Sequence, residues 1–385
     1  MKVLQVLDCF YPNIDGPINV MVNIAQIANE NKWADVEILV PKYPKQYDVL
    51  GVKVHRCKSA KSTEGYRMSL PWFDRKIKKL IKNGGFDAIH VHSPFTLGKY
   101  VIKLAKKYNI PVCITVHTNY KSDFERKTKS KTIRKLLMNY IIKPINKCDY
   151  VMSVSNGAGQ MVKDFGCTHK KIHIIRNGTD MKPVQNIELC DEIVKKYNLE
   201  NKFVFLSVGR VVENKNNQFS LRVLQMLKQH TSDFVFLIVG DGPYLENLKQ
   251  LVKQYGLQDN VIFTGKIMDR QYLSCIYCCS DLFLFPSEID TCGIVALEAA
   301  VNSLPSVMLE NTCPSELIIS GKNGLSLAKD EKVWATEIQN IMQNKQILKQ
   351  MKKDVALSLY IPWEKIVKEY VDFYKNMINK QVSNE

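Results

Sequence analysis

The chain is expected to be an α/β protein built from two doubly wound, Rossmann-like domains. Three observations predict this. Its 385 residues are long for one hydrophobic core and comfortable for two. Short β-branched runs alternate with longer amphipathic stretches, the pattern of parallel sheets covered by helices on both faces. The alternation then restarts near residue 203, as if a second domain of the same kind followed the first.

In the first half, strands are expected at 2–8 (KVLQVLD), 36–41 (VEILVP), 88–93 (AIHVHS), 113–118 (CITVHT), 150–155 (YVMSVS) and 171–175 (KIHII). Helices fall between them, clearest at 18–30 and 97–109. A polar link is expected near 178–202. In the second half, strands are expected at 203–209, 234–240, 261–265, 282–287, 305–309 and 324–327, with helices at 216–230 and 243–256. A last long helix, 362–379, opens on Pro362, a favoured early position. The domains are thus placed at 1–180 and 181–361, with 362–385 as a terminal helix. No tandem repeat or low-complexity segment is present.

At 45% hydrophobic and 24% charged residues, the composition is that of a soluble globular protein. No apolar run is long enough to span a bilayer, and the opening MKVLQVLDCF has no signal-peptide architecture. Eleven cysteines, irregularly spaced and odd in number, fit reduced thiols in a cytoplasm better than a disulfide framework. The net charge of +16 is one-sided. Residues 1–180 hold 31 basic against 14 acidic residues, and the remainder holds 23 against 24. Such a field points to an anionic partner: membrane, nucleic acid or polyanion.

In open α/β sheets ligands bind beyond the carboxyl ends of the strands, so the segments just after strands carry the chemistry. After 282–287 comes SEIDTCGIVALEAA. Gly293 opens a helix whose first N–H groups, on Gly293, Ile294 and Val295, form an anion site. Asp290 lies just outside that terminus and Glu298 one to two turns inside it. Carboxylates suit sugar or ribose hydroxyls and the helix end suits phosphate, but an N-capping Asp with a solvent-facing Glu would read the same way. After 203–209 comes RVVENKNNQF, which places Arg210 and Lys215 in one loop. The two cations could clamp a diphosphate or form an ordinary exposed basic loop. GDGP (240–243) permits a close backbone approach and is weak alone.

Together these segments resemble the GT-B-fold retaining glycosyltransferases of the family-4 type (group 1 glycosyltransferases). The resemblance rests on VGR…ENKN, VGDGP, PSEIDTCGIVALEAA followed by LP, and GKNGL (321–325), with SVSNGAG (153–159), IRNGTD (175–180) and Trp363 in matching order. It covers nearly the whole chain. It implies two domains facing a central cleft and a C-terminal helix that crosses back to the first. It implies that Arg210 and Lys215 contact the donor's diphosphate, Asp290 holds sugar hydroxyls, Glu298 binds the ribose, and the N–H groups at Gly293, Ile294 and Val295 hold phosphate. The backbone near Lys266 and Ile267 would meet the base, His117 would face the transferred sugar, and Gly16 would approach the donor. His117 and Asp290 are the expected catalytic pair. The chain departs from the family's usual Glu at Asp290, aromatic at Cys292, Gly at Ser303 and paired glycines beside Gly16, departures that bear on donor-sugar identity and on activity.

The expected reaction is transfer of a hexose-type sugar, with retention, from a nucleotide-diphosphate donor such as a UDP-sugar. The leaving phosphate would deprotonate the acceptor. The cations stabilise developing charge, so no metal or other cofactor and no second catalytic carboxylate is expected. Alternatives are transfer to a soluble acceptor, a sugar-nucleotide epimerase of the same fold, or a non-catalytic nucleotide-sugar-binding protein.

His90 and His92 share one strand face without a carboxylate cluster at ligand spacing, favouring structural or substrate-facing roles over metal. CIYCC (275–279) has no second Cys pair and reads as small thiols packed in a helix. The stretch 121–147 carries nine basic residues and two acids, Asp123 and Glu125, with Ile133, Leu136, Leu137, Tyr140 and Ile141 at helical spacing. A solvated helix face is the ordinary reading. A second basic cluster at 75–82 moves the expectation to an anionic membrane surface, met by Lys127, Lys129, Lys131, Arg134, Lys135, Arg75, Lys76, Lys78 and Lys79. Its acceptor would be a lipid or lipid-linked glycan. The protein would then be cytoplasmic and peripheral on the inner face of the plasma membrane. No nucleic-acid partner is expected, since neither cluster interleaves aromatics for base stacking.

Overall fold

The computed structural model describes residues 1–13, 15–62 and 65–382, with side-chain burial described to residue 380. It divides into two compact units, Met1–Gly178 with Pro362–Glu385, and Thr179–Ile361. The division falls two residues before the expected boundary.

The first unit runs β1 (Lys2–Val6), α1 (Gly16–Glu30), β2 (Asp35–Pro41), β3 (Val54–Cys57), β4 (Ser59–Lys61), β5 (Arg67–Ser69), α2 (Arg75–Asn83), β6 (Ala88–Val91), α3 (Thr96–Lys107), β7 (Val112–Val116), α4 (Tyr120–Lys127), α5 (Lys131–Ile145), β8 (Tyr150–Ser153), α6 (Asn156–Asp164) and β9 (Ile172–Ile174). Seven strands form one parallel sheet in the order β3-β2-β1-β6-β7-β8-β9. The order reverses direction between β1 and β6. Every residue of β6 and β7 is buried, as central strands of a two-faced sheet require. On one face Leu4, Val6, Ile89, Val91 and Ile114 pack with Leu97 and Val101 of α3 and Ile141 and Ile145 of α5.

Three strands of this unit, β3 to β5, escaped the pattern reading. They are three or four residues long, and two of them form only a small antiparallel pair. The stretch 121–147 is two helices. Asn119 caps α4 through the Ser122 N–H and Ser130 caps α5 through the Ile133 N–H, so each carries its own start signal.

The second unit runs α7 (Ile187–Lys196), β10 (Phe203–Val208), α8 (Asn217–Leu227), β11 (Phe234–Val239), α9 (Leu245–Gln254), β12 (Val261–Gly265), α10 (Arg270–Cys278), β13 (Leu282–Phe285), α11 (Ile294–Val301), β14 (Ser306–Leu309), β15 (Gly324–Leu327), α12 (Glu331–Gln343) and α13 (Lys345–Leu359). Its parallel sheet has the order β12-β11-β10-β13-β14-β15, the dinucleotide-fold order with its switch point between β10 and β13. All six strands were expected from the sequence. The expected polar link is not all link: α7 lies inside it, capped by Asn186, with Ile193 wholly buried and Leu189, Cys190 and Val194 packed on the same core. The alternation of these four apolar residues with charges hid the helix.

The last helix, α14 (Trp363–Val382), belongs to the first unit, where it packs against α1 and β6. Tyr370 and Tyr374 are wholly buried on its inner face. Among the described residues, no helix is long and apolar enough to cross a membrane, and no disulfide joins the eleven cysteines. Cys275 is buried in α10.

Candidate active site

The site of the second unit is built at the switch point between β10 and β13. The loop after β10 turns through a short 3-10 segment, Glu213–Lys215, into Asn216 in a left-handed conformation (φ 58°, ψ 30°), which Asn tolerates better than most residues. The buried Asn216 Nδ2 donates to the Pro286 carbonyl at 3.3 Å and to Glu288 Oε1 at 3.4 Å, tying this loop to the one after β13. Asn217 Oδ1 accepts from Ser207 Oγ at 2.9 Å. The asparagines of ENKNN therefore hold the loop, and the loop holds Lys215.

Lys215 Nζ donates to both carboxylate oxygens of Asp290 at 2.7 Å, and lies 5.5 Å from the centre of the Phe285 ring. About a quarter of each side chain is exposed. The expectation gave Lys215 to a diphosphate and Asp290 to sugar hydroxyls. The structure instead joins the two to each other. Arg210, in the same loop, is exposed.

Gly293 precedes α11 at φ 73°, ψ 51°. A Cβ there would meet Pro314 Cβ at 3.0 Å and Phe285 Cε1 at 3.3 Å, so conformation and space both call for glycine. Ile294 and Val295 follow, half-buried, at the start of the helix. The loop after β11 requires glycine more strongly. A Cβ on Gly240 would lie 1.9 Å from the Gly209 carbonyl oxygen, so the loops after β10 and β11 run backbone against backbone.

Glu298 is buried, which excludes the solvent-facing reading. Its Oε1 accepts from Arg270 Nη2 at 2.9 Å and its Oε2 from the Tyr277 hydroxyl at 3.0 Å. The same Arg270 nitrogen donates to Asp180 Oδ1 at 2.7 Å. Burial pushes the Glu298 carboxyl up from its ordinary range, and Arg270 pulls it partly back. Lys266 is exposed and Ile267 half-buried just after β12. Sequence reasoning missed Arg270, Tyr277 and Asp180. Asp180 closes the IRNGTD segment, but Arg270 and Tyr277 open and line an ordinary-looking helix, and only the fold brings them to Glu298.

In the first unit, Gly16 is the exposed first residue of α1. The preceding Asp15 accepts from the Tyr66 hydroxyl at 2.7 Å. His117, just after β7, is buried, with its Nε2 2.9 Å from His92 Nδ1. His92 Nε2 lies 3.2 Å from Gln5 Oε1. His90 meets the Tyr374 hydroxyl at 2.7 Å and Thr115 Oγ1 at 2.8 Å. Burial holds His117 down to about 3, and His90 and His92 well below the ordinary imidazole value. The three are neutral at pH 7. Among the described residues, no group of three His, Cys, Asp or Glu is placed to hold a metal ion.

The basic residues of this unit lie beside exposed apolar ones. Arg75, Lys76, Lys78 and Lys79 on α2, and Lys127, Lys129, Lys131 and Lys135, are exposed, while Arg134 is half-buried and paired with Glu125 at 3.5 Å. Trp72 and Phe73 precede α2 at 56% and 73% exposure, and Ile133 and Leu136 of α5 at 48% and 64%. Trp72 contacts Tyr100 of α3 edge-on at 5.8 Å, and Lys99 of α3 sits 4.4 Å over the Tyr140 ring of α5. Ile141, expected on the apolar stripe, faces the core instead.

Residues 19–182 match the Glycosyltransferase Family 4 profile and residues 191–356 match Glycosyl transferases group 1. An alpha-monoglucosyldiacylglycerol synthase of Acholeplasma laidlawii is 25% identical over 99% of this chain and 98% of its own length. A protein of the same name from Streptococcus pneumoniae is 26% identical over 63% of this chain, which spans 56% of that relative. Among solved structures, Anabaena HepE in complex with UDP superposes with a TM-score of 0.79 at 15% identity, covering 98% of this chain and all of that one. The same Anabaena protein has been solved with UDP-glucose.

Proposed function

We propose that this chain, which belongs to the group 1 glycosyltransferases of the GT-B fold, transfers a hexose-type sugar from a UDP-sugar to a membrane-associated lipid or lipid-linked glycan, with retention of anomeric configuration. One observation carries the donor half of this reading. At the switch point of the second unit, Arg210, the Lys215–Asp290 pair, the Gly293 helix start and buried Glu298 are all presented beyond the strand ends. UDP-bound and UDP-glucose-bound forms of HepE support the choice of donor.

The chemistry follows from the residue types. Cleaving the sugar–phosphate bond leaves negative charge on the diphosphate. Arg210, Lys215 and the N–H groups of Ile294 and Val295 stabilise that charge as it forms. Lys215 must divide itself between Asp290 and the phosphate, so Asp290 is released towards sugar hydroxyls as donor binds. Glu298, paired with Arg270, accepts from ribose hydroxyls. The backbone at Lys266 and Ile267 borders the base, and Gly16 lets the chain approach the donor closely. His117 is the sugar contact contributed by the first unit. The leaving phosphate takes the acceptor's proton, and neither a metal nor another cofactor enters the reaction.

The acceptor half rests on the exposed face around α2 and α5. Lys and Arg near an anionic surface contribute about 1 kcal/mol each, and each large apolar side chain buried in lipid contributes roughly 1.5–3 kcal/mol. Trp72, Phe73, Ile133 and Leu136 beside eight exposed cations fit a peripheral protein on the cytoplasmic leaflet. The two relatives named for a monoglucosyldiacylglycerol support a lipid acceptor.

A panel of nucleotide sugars offered with diacylglycerol-containing vesicles tests the whole reading. Expected is a glycolipid from one UDP-sugar, with the donor's anomeric configuration in the product's NMR spectrum. Binding of donors without transfer or hydrolysis would defeat the enzyme reading, and an inverted product would defeat retention. Sedimentation with anionic vesicles should be strong at low salt and fade at high salt. Equal binding to neutral vesicles would remove the electrostatic mechanism.

A further inference from the structure

The motif CIYCC meets a partner in the fold that its own sequence does not show. Cys275 and Cys278 lie on α10 and Cys279 at its C-terminal end. Residues at this spacing share one face of a helix. That face packs on α7, which carries Cys190. The Cys275 thiol donates to the Asn186 carbonyl at 3.6 Å, and the Cys279 thiol to the Cys190 carbonyl at 3.7 Å. The Cys190 thiol is in hydrogen-bonding contact with the thiols of Cys275, Cys278 and Cys279. Four thiols therefore converge on one helix–helix seam. Cys278 is exposed, Cys190 and Cys279 are half-buried, and Cys275 is buried.

Buried thiols can serve as small apolar packing. An exposed thiol that touches a second thiol has a chemical use as well. Cys275 and Cys279 give their S–H to backbone carbonyls and are less exposed, so Cys278 is the thiol of α10 that meets an oxidant in solution. Transient, sensing disulfides are the kind that a reducing compartment allows.

We propose that Cys190 and Cys278 form an oxidation site, a dithiol that a peroxide converts into a disulfide between α7 and α10. The Cys278 thiolate attacks one peroxide oxygen, displaces hydroxide and becomes a sulfenic acid. The Cys190 sulfur then attacks the Cys278 sulfur, and the sulfenic oxygen leaves as water. Two thiols and one hydrogen peroxide give one disulfide and two waters, with two electrons passing from sulfur to oxygen. Burial pushes the Cys278 thiol up, so the link forms slowly at pH 7 and faster as the pH rises.

The seam matters because α10 serves the donor site. Tyr277, the neighbour of Cys278, donates to Glu298 at 3.0 Å, and Arg270, at the start of the helix, donates to it at 2.9 Å. A disulfide holds its sulfurs about 2.05 Å apart, closer than any non-bonded contact. Closing it draws α10 towards α7 and disturbs the groups that hold Glu298. Oxidation thus weakens donor binding, a consequence that rests on the reading of Glu298 as the ribose contact.

Full-length protein treated with hydrogen peroxide at about pH 8.5, blocked with N-ethylmaleimide and digested with trypsin tests the site by mass spectrometry. Expected is a disulfide joining the peptide 177–195, which holds Cys190, to the peptide 271–322, which holds Cys278. The absence of this link overturns the proposal. Cys190→Ser and Cys278→Ser should each abolish it, and a link that survives Cys278→Ser overturns the assignment to the exposed thiol. Calorimetric affinity for UDP should fall about tenfold on oxidation, the worth of one weakened hydrogen bond to a charged group. It should recover with dithiothreitol and stay unchanged by peroxide in Cys190→Ser. A link formed with unaltered UDP affinity overturns the coupling through α10. Failure of the reduced protein to bind UDP would count instead against the proposed donor, and the peptide result would still decide the oxidation site.

Discussion

Lys215 and Asp290 form a two-pronged ion pair, the ammonium 2.7 Å from each carboxylate oxygen. Both side chains are about one-quarter exposed, so the pair contributes little to stability, under about 1 kcal/mol. In the proposed reaction its value lies in holding two donor-facing groups in place. If they act as one unit, their losses do not add. Lys215→Met and Asp290→Asn should each lower kcat/KM about 10²-fold, and the double variant should be no worse than the worse single one. Losses that multiply would show that the two groups work separately.

The usual family residue at position 290 is longer by one methylene. Asp290→Glu should move the carboxylate relative to Lys215 and change the preference among UDP-sugars, measured as a ratio of kcat/KM values. An unchanged ratio and rate would mean that the shorter side chain has no bearing on function.

Arg270 joins Asp180 to Glu298 and opposes the burial that raises the Glu298 carboxyl. Removing it leaves burial opposed only by the Tyr277 hydroxyl, so the carboxyl rises further and takes its proton at higher pH. In Arg270→Ala, UDP-sugar affinity should weaken, and the acid limb of its pH profile should move upward. Calorimetric titration across pH 5 to 8 measures this. An unmoved limb would place the ribose contact elsewhere than Glu298.

Most of the architecture was legible, because a parallel strand buried on both faces is an apolar run that needs no context. FVFLSV and FVFLIV state their own fate. The misses were elements that depend on neighbours. The strands β3 to β5 are too short to show a period, and α7 buries few residues among many charges. The site divides in the same way. Asp290, Lys215 and His117 stand in the segments just past strand ends where the alternation points, and Glu298 lies a turn into the helix that follows. Arg270, Tyr277 and Gln5 are distant in sequence from the groups they support, and only packing reveals them. Nothing in the string ENKN says that Lys215 meets Asp290.

Ser303 shows how a departure from the family pattern has a physical size. It stands at φ 57° just past α11. The Leu304 N–H donates to the Ala299 carbonyl and the Ser303 N–H to the Ala300 carbonyl, each at 3.0 Å. This is the Schellman end of a helix, whose left-handed position normally takes glycine. Ser303→Gly should relieve about 1 kcal/mol of strain and raise the melting temperature by about 2–4 °C. An equal or lower melting temperature would mean that the serine side chain gains more from its surroundings than its backbone loses.

Burial of His90, His92 and His117 also makes the first unit sensitive to acid. Each imidazole is held neutral in the fold, His117 down to about 3, whereas in the unfolded chain each takes a proton near pH 6.5. Between these values the unfolded state binds more protons than the native state, so stability falls as pH drops. Well below pH 6.5 each locked site contributes a slope of about 1.4 kcal/mol per pH unit. The buried Asp8 and Glu298, both raised, act with the opposite sign from the ordinary carboxylate range upward. Urea unfolding between pH 7.5 and 5 should therefore show a steadily falling free energy, followed by a signal specific to the first unit. His117→Gln should remove about one-third of the slope due to this row, since one of its three sites is gone. A free energy independent of pH over this range would mean that the three imidazoles are protonated in the native protein.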